Sequence, residues 1–248
     1  MLKIGIFDSG IGGLSFLKIC TEMYPNCEYL YVGDQKHFPY GKKTDEYIIN
    51  RIKTVFKFFE REKVDMVLVA CNTASLQIPK IKENFPFKVY SVIDLIVANF
   101  ENNSFNKGIC IATDLTIANG VYGKKLAKYD FELVEKKAST LVGMIQNHYP
   151  KEAIVHEIIS LDLGNVDFLI LGCTHFAWIK ELLHEMYPSI KLYDGTEKVK
   201  EIIGSVLANS DCHEKGKIFV YTTNMNDDIL ESLDELDIKY DKLEEIDV

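Results

Sequence analysis

Short apolar runs alternate with longer stretches of mixed polarity along most of the chain. Short runs rich in Val, Ile and Leu predict strands that are buried on both faces of a sheet. These runs are 2–7, 29–32, 66–70, 88–91, 108–112, 168–171, 190–193 and 218–222. Apolar residues spaced three to four apart predict helices over 12–24, 44–62, 74–84, 115–128, 152–162, 176–186, 196–209 and 226–235. This alternation predicts an α/β fold with mainly parallel sheets flanked by helices.

One unit of the pattern occurs twice. Residues 64–71 (VDMVLVAC) align without a gap with residues 166–173 (VDFLILGC). Each copy contains an apolar strand, a small residue, a cysteine and the polar start of a helix. The repeat suggests two similar domains, and the polar stretch 101–107 is the best internal boundary. Two such domains facing each other would direct both cysteines into one cleft.

Cys71 and Cys173 therefore stand out among the cysteines. Ligands of open α/β sheets bind outside the carboxyl ends of the strands, where both residues are expected. At a helix start, the dipole and free amides should lower the pKa of the Cys71 thiol. His175 lies two residues after Cys173 and could poise that thiol or hand it a proton. On pattern alone, a buried structural cysteine and a helix-capping histidine remain alternatives.

Two polar loops follow the first two predicted strands at the same edge. The first, 7–13 (FDSGIGG), contains Asp8, which suits an ammonium group or a nearby thiol proton, or else caps the next helix. It lacks the glycine spacing of a dinucleotide site and the Lys-Ser/Thr of a P-loop, so nucleotide binding is disfavoured. The second, 33–41 (GDQKHFPYG), contains Tyr40, which could donate to a ligand carboxylate unless the loop is only a structured turn.

Composition narrows the class of protein. The formal net charge of −9 disfavours wholesale nucleic-acid binding, and the apolar runs are too short to span a membrane. The first residues lack the features of a signal peptide, which predicts a cytoplasmic protein. Six cysteines without Cys-x-x-Cys or His-x-x-x-His spacing favour free thiols over disulfides or a zinc site. The cysteines interpreted as packing residues are Cys20, Cys27, Cys110 and Cys212.

Two thiols in one cleft suggest proton transfer on opposite faces of a single carbon. Inversion of an α-carbon needs one group that removes the proton and another that delivers one. Sulfurs that each approach the carbon within reacting distance would lie about 6.5–7.5 Å apart, too far for a disulfide. One would be a thiolate and the other a thiol. Amides and hydroxyls at two helix starts would stabilise the negative charge that develops.

As a set, these motifs resemble those of the aspartate/glutamate racemase family, and of its glutamate racemases in particular. The similarity runs from about residue 4 to residue 207, through DSGxGGL at 8–14, PYG at 39–41, ACNTAS at 70–75 and LGCTHF at 171–176. The resemblance implies a first domain of 1–96 joined by a returning segment 208–248, a second domain of 97–207, and an active site between them. It also implies a homodimer.

The function implied by the resemblance is the interconversion of L- and D-glutamate, which supplies D-glutamate for peptidoglycan and so for cell-wall biogenesis and cell shape. No pyridoxal phosphate, other cofactor or metal is implied. Position by position, Cys71 and Cys173 become the two acid/bases, with Asp8 and His175 assisting. The implied substrate contacts are Asp8, Ser9, Tyr40, Gly41, Asn72, Thr73, Thr116, Thr174 and His175. The chain departs from the usual family pattern at Ala177-Trp178, Asn119 and Gln146.

Other functions remain open on the sequence. An aspartate racemase or a broader amino-acid racemase is the alternative among enzymes, although related aspartate enzymes typically carry Glu where this chain has His175. A non-catalytic module that binds an acidic amino acid is a second class, and intact Cys71 and Cys173 argue against it. A thiol-redox protein is weakened by the missing Cys-x-x-Cys.

Overall fold

Two parallel sheets form the framework of the protein. The computed structural model describes residues 1–101, 104–207 and 214–248, so Cys212 and the end of the predicted helix 196–209 lie outside the described residues. Every strand pairing in the described ranges is parallel. Helices cover the sheets, which confirms the predicted α/β class.

The first sheet has six strands in the order β10-β9-β2-β1-β3-β4. They are β1 Lys3–Asp8, β2 Glu28–Gly33, β3 Met66–Val69, β4 Lys88–Ser91, β9 Ile218–Thr222 and β10 Lys242–Glu245. The second sheet has four strands in the order β6-β5-β7-β8. They are β5 Lys107–Ala112, β6 Glu132–Lys137, β7 Phe168–Gly172 and β8 Lys191–Tyr193. Strands β9 and β10 come from the C-terminal segment, which therefore completes the first sheet; the domain boundaries themselves stay a prediction.

Eleven helices accompany these strands in the described ranges. They are α1 Leu14–Met23, α2 Asp45–Arg61, α3 Asn72–Ser75, α4 Val92–Ala98, α5 Asp114–Asn119, α6 Val121–Leu126, α7 Ser139–Gln146, α8 Lys151–Ser160, α9 Lys180–Met186, α10 Thr196–Leu207 and α11 Asp227–Glu235. No helix among them has the length and apolarity needed to cross a membrane.

The predicted strands all overlap strands of the structure, whereas two edge strands were missed. Strand β6 reads ELVEKK and β10 reads KLEE, so neither contains a continuous apolar run. Each lies at the end of its sheet, with neither strand fully buried. Edge strands tolerate charged residues because one side faces solvent, and apolar patterning is therefore a weak signal for them.

The helix prediction over 74–84 is wrong for most of its length. Helix α3 ends at Ser75, and a 3₁₀ turn at Ile78–Lys80 follows it. Pro79 lacks an N–H and clashes with the preceding turn, so the helix cannot continue through it. The predicted helix over 115–128 is divided into α5 and α6 by Gly120, whose φ of 64° is left-handed. Helices α4 and α7 were not predicted.

The two sheets share one hydrophobic core. A single cluster of buried residues contains Ile4 and Ile6 from β1 together with Phe168 and Ile170 from β7. Aromatic rings strengthen this region: the Phe100 ring centroid lies 4.9 Å from that of Phe168. The strands that precede Cys71 and Cys173, β3 and β7, each lie inside their sheet rather than at its edge. Rigid, fully buried strands therefore position both cysteines.

Candidate active site

The carboxyl ends of strands from both sheets surround one cavity of about 190 Å³. This volume is smaller than that of pockets for drug-sized ligands and suits a small metabolite. Most lining residues follow strands or begin helices. They are Ser9, Phe38, Pro39, Tyr40, Gly41, Lys42, Cys71, Asn72, Thr73, Thr113, Asp114, Ser139, Val142, Gly143, Cys173, Thr174 and His175.

Cys71 enters the cavity from the first sheet. It is the N-cap residue of α3, and its Sγ accepts a hydrogen bond from the backbone N–H of Ala74 at 3.4 Å. The Ser9 hydroxyl oxygen lies 3.3 Å from the same sulfur. Burial nevertheless raises the pKa of Cys71 to about 12, and the nearby charge of Asp8 adds to the rise. The Ala74 N–H at the helix start does lower this pKa, but desolvation of the thiolate outweighs it, so the expected net lowering is wrong.

Cys173 enters from the second sheet, directly after β7. Its Sγ lies 3.7 Å from Nδ1 of His175. Burial raises the pKa of Cys173 well above its usual range, although the backbone N–H of His175 lowers it in part. This sulfur thus has a donor at the helix start, as Cys71 does, and also faces an imidazole nitrogen.

His175 is neutral at physiological pH because burial lowers its pKa to about 4. Its Nε2 lies 2.8 Å from the side-chain oxygen of Gln146. An amide oxygen only accepts, so Nε2 carries the proton and Nδ1 is free to accept one from the Cys173 thiol. Nδ1 of His175 can therefore accept a hydrogen bond from the Cys173 thiol, and the low pKa disfavours a charged imidazole as proton donor in the resting protein.

Asp8 lies behind the cavity wall, where it connects the end of β1 to the segment that follows β7. The side chain is fully buried, Oδ1 accepts from the backbone N–H of Gly10 at 2.9 Å, and Oδ2 accepts from the Thr174 hydroxyl at 3.0 Å. Burial raises the pKa of Asp8 to about 6, against these hydrogen bonds, which lower it. Gly12 permits this close approach, since a Cβ there would lie 2.3 Å from Oγ1 of Thr174.

A row of threonine hydroxyls joins the sheets on another side of the cavity. Oγ1 of Thr73 lies 3.1 Å from Oγ1 of Thr113, which lies 3.0 Å from Oγ1 of Thr116. Thr116 is fully buried behind Thr113 and does not line the cavity. The sequence thus identified the right motif, but the threonine at the wall is the one that caps α5.

Tyr40 lines the cavity, yet its hydroxyl proton is directed elsewhere. It donates to Oδ2 of the buried Asp34 at 2.5 Å, and Arg51 donates to both oxygens of that carboxylate. Although burial raises the pKa of Asp34, hydrogen bonds from Arg51, Tyr40 and His37 outweigh it and keep that pKa below its usual range. The expectation that Tyr40 donates to a ligand carboxylate therefore does not fit this arrangement, and its ring and backbone form the wall.

The remaining predicted contacts, Ser9, Gly41, Asn72, Thr73 and Thr174, all line the cavity. Sequence reasoning missed several wall residues. Lys42 lies one residue beyond the loop 33–41, and Thr113 and Asp114 follow β5, where the strand-end rule would have found them. Ser139, Val142 and Gly143 belong to α7, which the periodicity did not reveal.

The other described cysteines are packing residues, as predicted. Cys20, Cys27 and Cys110 are at most 1% exposed, and none of the five described cysteines forms a disulfide. Within the described ranges, no group of three or more His, Cys, Asp or Glu side chains could hold a metal ion. The cavity wall combines two thiols and an imidazole with the side chains of Lys42 and Asp114 and with hydroxyl and amide groups, and the carboxyl of Asp8 lies behind it.

Comparison with known proteins gives a consistent picture. A family model described as Asp/Glu/Hydantoin racemase matches residues 15–199. The chain is 33% identical over 235 residues to the glutamate racemase of Aquifex aeolicus, covering 92% of this chain and 91% of that protein. The glutamate racemase of Francisella tularensis, solved in complex with D-glutamate, superposes with a TM-score of 0.86 at 27% identity, covering 99% of this chain and 97% of that one. The glutamate racemase of Campylobacter jejuni gives a TM-score of 0.84 at 29% identity, covering 96% and 99%.

Proposed function

Because the chain belongs to the Asp/Glu/Hydantoin racemase family, we propose that it interconverts L- and D-glutamate by proton transfer between the α-carbon and two cysteines. The observation that carries the proposal is the placement of Cys71 and Cys173 on the walls of one small cavity, each after a central strand of a different sheet. The relatives described above, named as glutamate racemases, support glutamate as the substrate.

In the proposed reaction, the protons are exchanged only between the two thiols and the α-carbon of the substrate. One cysteine, as thiolate, takes the α-proton and becomes a thiol, which leaves a carbanion on the substrate. The other cysteine, as thiol, gives a proton to the opposite face and becomes a thiolate. The roles are then exchanged, so the next substrate of opposite handedness is accepted without any further proton transfer. No redox step is needed, and no cofactor takes part.

Both thiols are buried, and whichever one acts as the base must first lose its proton, for which the neighbouring groups provide acceptors. Asp8 is ionised at neutral pH and its charge reaches Cys71 and Cys173. His175 is neutral and faces Cys173 through Nδ1. We assign the removal of the thiol proton to Asp8 on the Cys71 side and to His175 on the Cys173 side. Binding of the substrate's ammonium group would favour the ionised forms by adding a positive charge nearby.

Substrate binding follows from the donors and acceptors of the wall. Asn72, Thr73 and Thr174 begin helical segments next to the two sulfurs, and their amides and hydroxyls suit the α-carboxylate, which gains negative charge during the reaction. Ser9 suits the ammonium group, and the negative charge of Asp8 behind the wall favours it there. The turn at Tyr40 and Gly41 suits the side-chain carboxylate, and Lys42 adds a positive charge to that part of the wall. Thr116 acts through Thr113.

The proposal includes a cellular role, a location and an oligomeric state. D-Glutamate made by this reaction would enter peptidoglycan synthesis, and the protein would act in the cytoplasm as a homodimer. A net charge of −9 supports a small-molecule substrate rather than a nucleic-acid partner.

The proposal is tested by incubating the protein in heavy water with L-glutamate, D-glutamate, L-aspartate and D-aspartate in separate reactions. Deuterium entry at the α-carbon and loss of optical rotation should occur with both glutamates. Cys71→Ser and Cys173→Ser should each lower interconversion strongly, whereas Cys20→Ala, which changes a buried thiol away from the cavity, should retain it. Turnover of aspartate alone would assign the alternative substrate, and the absence of exchange with all four amino acids would refute a racemase.

A further inference from the structure

We propose that Asp228 is a positioning residue that acts through Gln146 to hold His175 as the tautomer whose Nδ1 accepts the proton of the Cys173 thiol. Asp228 lies in the first turn of α11, in the C-terminal segment that completes the first sheet. Gln146 is the last residue of α7, beside the second sheet. The catalytic role of this contact rests on the proposed function, but the tautomer can be measured without it.

A continuous series of polar contacts joins Asp228 to the sulfur. Nε2 of Gln146 donates to Oδ2 of Asp228 at 3.1 Å, and Oε1 of Gln146 lies 2.8 Å from Nε2 of His175. Nδ1 of His175 lies 3.7 Å from Sγ of Cys173. Asn226 donates to the same Oδ2 of Asp228, at 3.1 Å, and so helps to hold the carboxylate in place.

The direction of each hydrogen bond in this series follows from the carboxylate at its end. An ionised carboxylate only accepts, so the amide group of Gln146 that faces Asp228 must be the NH₂. The oxygen of Gln146 must then face His175, and the ring nitrogen beside it must carry the proton. For a neutral imidazole, the other nitrogen has a lone pair that is directed at the Cys173 thiol. Without Asp228, the Gln146 amide could rotate by 180° and reverse every bond that follows.

The other groups around the ring do not fix its tautomer. Asp8 reaches this region only through Thr174, and both of its oxygens are already engaged. The ring of Phe38, whose centroid lies 5.4 Å from that of His175, carries no charge. Among the described residues, Asp228 is thus the anion that is connected to the imidazole by hydrogen bonds.

The neutral amide between Asp228 and His175 has a chemical consequence. A carboxylate in direct contact with a histidine orients the ring and also stabilises its charged form. Gln146 transmits the orientation but keeps the negative charge one residue away. His175 is therefore held ready to accept the thiol proton without being protonated beforehand, and Cys173 rests as a thiol.

The tautomer is measured by NMR of protein labelled with ¹⁵N at histidine, with the His175→Gln variant identifying the resonances. In the native protein, the proton should reside on Nε2 of His175. Asp228→Ala should shift the population towards the Nδ1–H tautomer. Asp228→Asn introduces an amide that can donate as well as accept, so it should give a tautomer population between those of Asp228→Ala and the native protein. Asp227→Ala removes an exposed neighbouring carboxylate in the same helical turn and should change nothing at His175.

A double-variant cycle tests whether the effect passes through Gln146. Asp228→Ala and Gln146→Leu should each lower kcat about 10-fold with little change in KM, and the combined variant should be no slower than the single variants. An unchanged His175 tautomer in Asp228→Ala would overturn the proposal, and so would additive losses in the combined variant. Because the NMR measurement needs no turnover, a protein that racemises nothing could still pass it, so the two proposals fail separately.

Discussion

Cys71 and Cys173 occupy equivalent positions in a repeated unit, but their surroundings differ. Cys71 is contacted by the Ala74 N–H and by the Ser9 hydroxyl, both of which can donate to sulfur. Cys173 also faces the unprotonated Nδ1 of His175, which accepts. Donors favour a thiolate and an acceptor favours a thiol. The repeat therefore places two identical residues symmetrically, but only Cys173 has an imidazole acceptor beside it, and burial raises the pKa of both thiols.

The difference between the two cysteines is tested most strongly by removing one thiol at a time. Deuterium exchange at the α-carbon is then followed separately for each enantiomer of glutamate. Each remaining cysteine can reach only one face of the α-carbon. Cys71→Ser and Cys173→Ser should therefore lower interconversion by roughly 10²–10⁴-fold. Each variant should retain deuterium exchange, without inversion, for at most one enantiomer of glutamate.

The retained enantiomer should differ between the two variants. NMR of each enantiomer in heavy water measures this directly. Exchange of the same enantiomer by both variants would contradict the assignment of the cysteines to opposite faces.

Asp8 is the group assigned to deprotonate Cys71, so Asp8→Asn should slow the direction that starts at Cys71 more than the direction that starts at Cys173. We expect a loss of activity of about 10²-fold, because a base near the thiols is removed. The folded protein should become more stable at neutral pH. Asp8 binds its proton more tightly when folded, with a pKa of about 6 against 3.8, so between these values folding takes up a proton.

The stability contributed by Asp8 is therefore lost as pH rises from about 4 to about 6, and it stays lost above that range. The cost at pH 7 is about 3 kcal/mol, and Asn should recover up to that amount if its oxygen accepts from Gly10 and its NH₂ donates to a reoriented Thr174 hydroxyl. Urea unfolding at pH 4 and pH 7 measures it. A gain at pH 4 as large as at pH 7 would show that the ionisation of Asp8 is not the cause.

Thr174 donates a hydrogen bond to Asp8 from the Cys173 side, and we expect Thr174→Val to lower activity less than Asp8→Asn does. The Thr174 hydroxyl lowers the pKa of Asp8, and its loss should raise that pKa further. The acid limb of kcat/KM, expected near pH 6 in the native protein, should move to higher pH, with activity at pH 7 lowered about 10-fold. Thr174→Ser retains the hydroxyl and should preserve the native profile; a shift of both variants alike would implicate packing instead.

The smallest expected effect is confined to the Cys71 side. The Ser9 hydroxyl lowers the pKa of Cys71, so Ser9→Ala should raise that pKa and slow alkylation of Cys71 by iodoacetamide several-fold. Alkylation of Cys173 should be unchanged. Mass spectrometry of the two cysteine-containing peptides gives both rates in one sample, and equal slowing at the two sites would argue against a local effect.

The sequence was informative where the chemistry lies within a few residues of a buried strand. Cys71, Cys173, Asp8 and His175 all follow strands with strong apolar signals, and the strand-end rule brings them together. Thr116 was selected within the correct motif, but the capping residue Thr113 forms the wall. Such one-turn distinctions depend on the side-chain direction in α5, which the pattern does not determine.

Features formed by distant segments could not be predicted. Gln146 and Asp228 are 82 positions apart and meet only because the C-terminal segment returns to the first sheet. The pKa of Cys71 depends on how completely the surrounding chain excludes water, and that burial outweighs the local helix start. Strand β10 and the wall residues of α7 likewise owe their positions to tertiary packing rather than to local periodicity.

The position of β9 also determines when each half can fold during synthesis. The strands of the second sheet come from one continuous stretch, 107–193, and can pair as soon as that stretch is made. Strand β2 pairs with β9 through residues 29–33 and 218–222, so it keeps an open edge until the later residues emerge from the ribosome. Unpaired strand edges recruit other chains. The half that is synthesised first is therefore the last to be completed, and it is the half that most needs protection during translation.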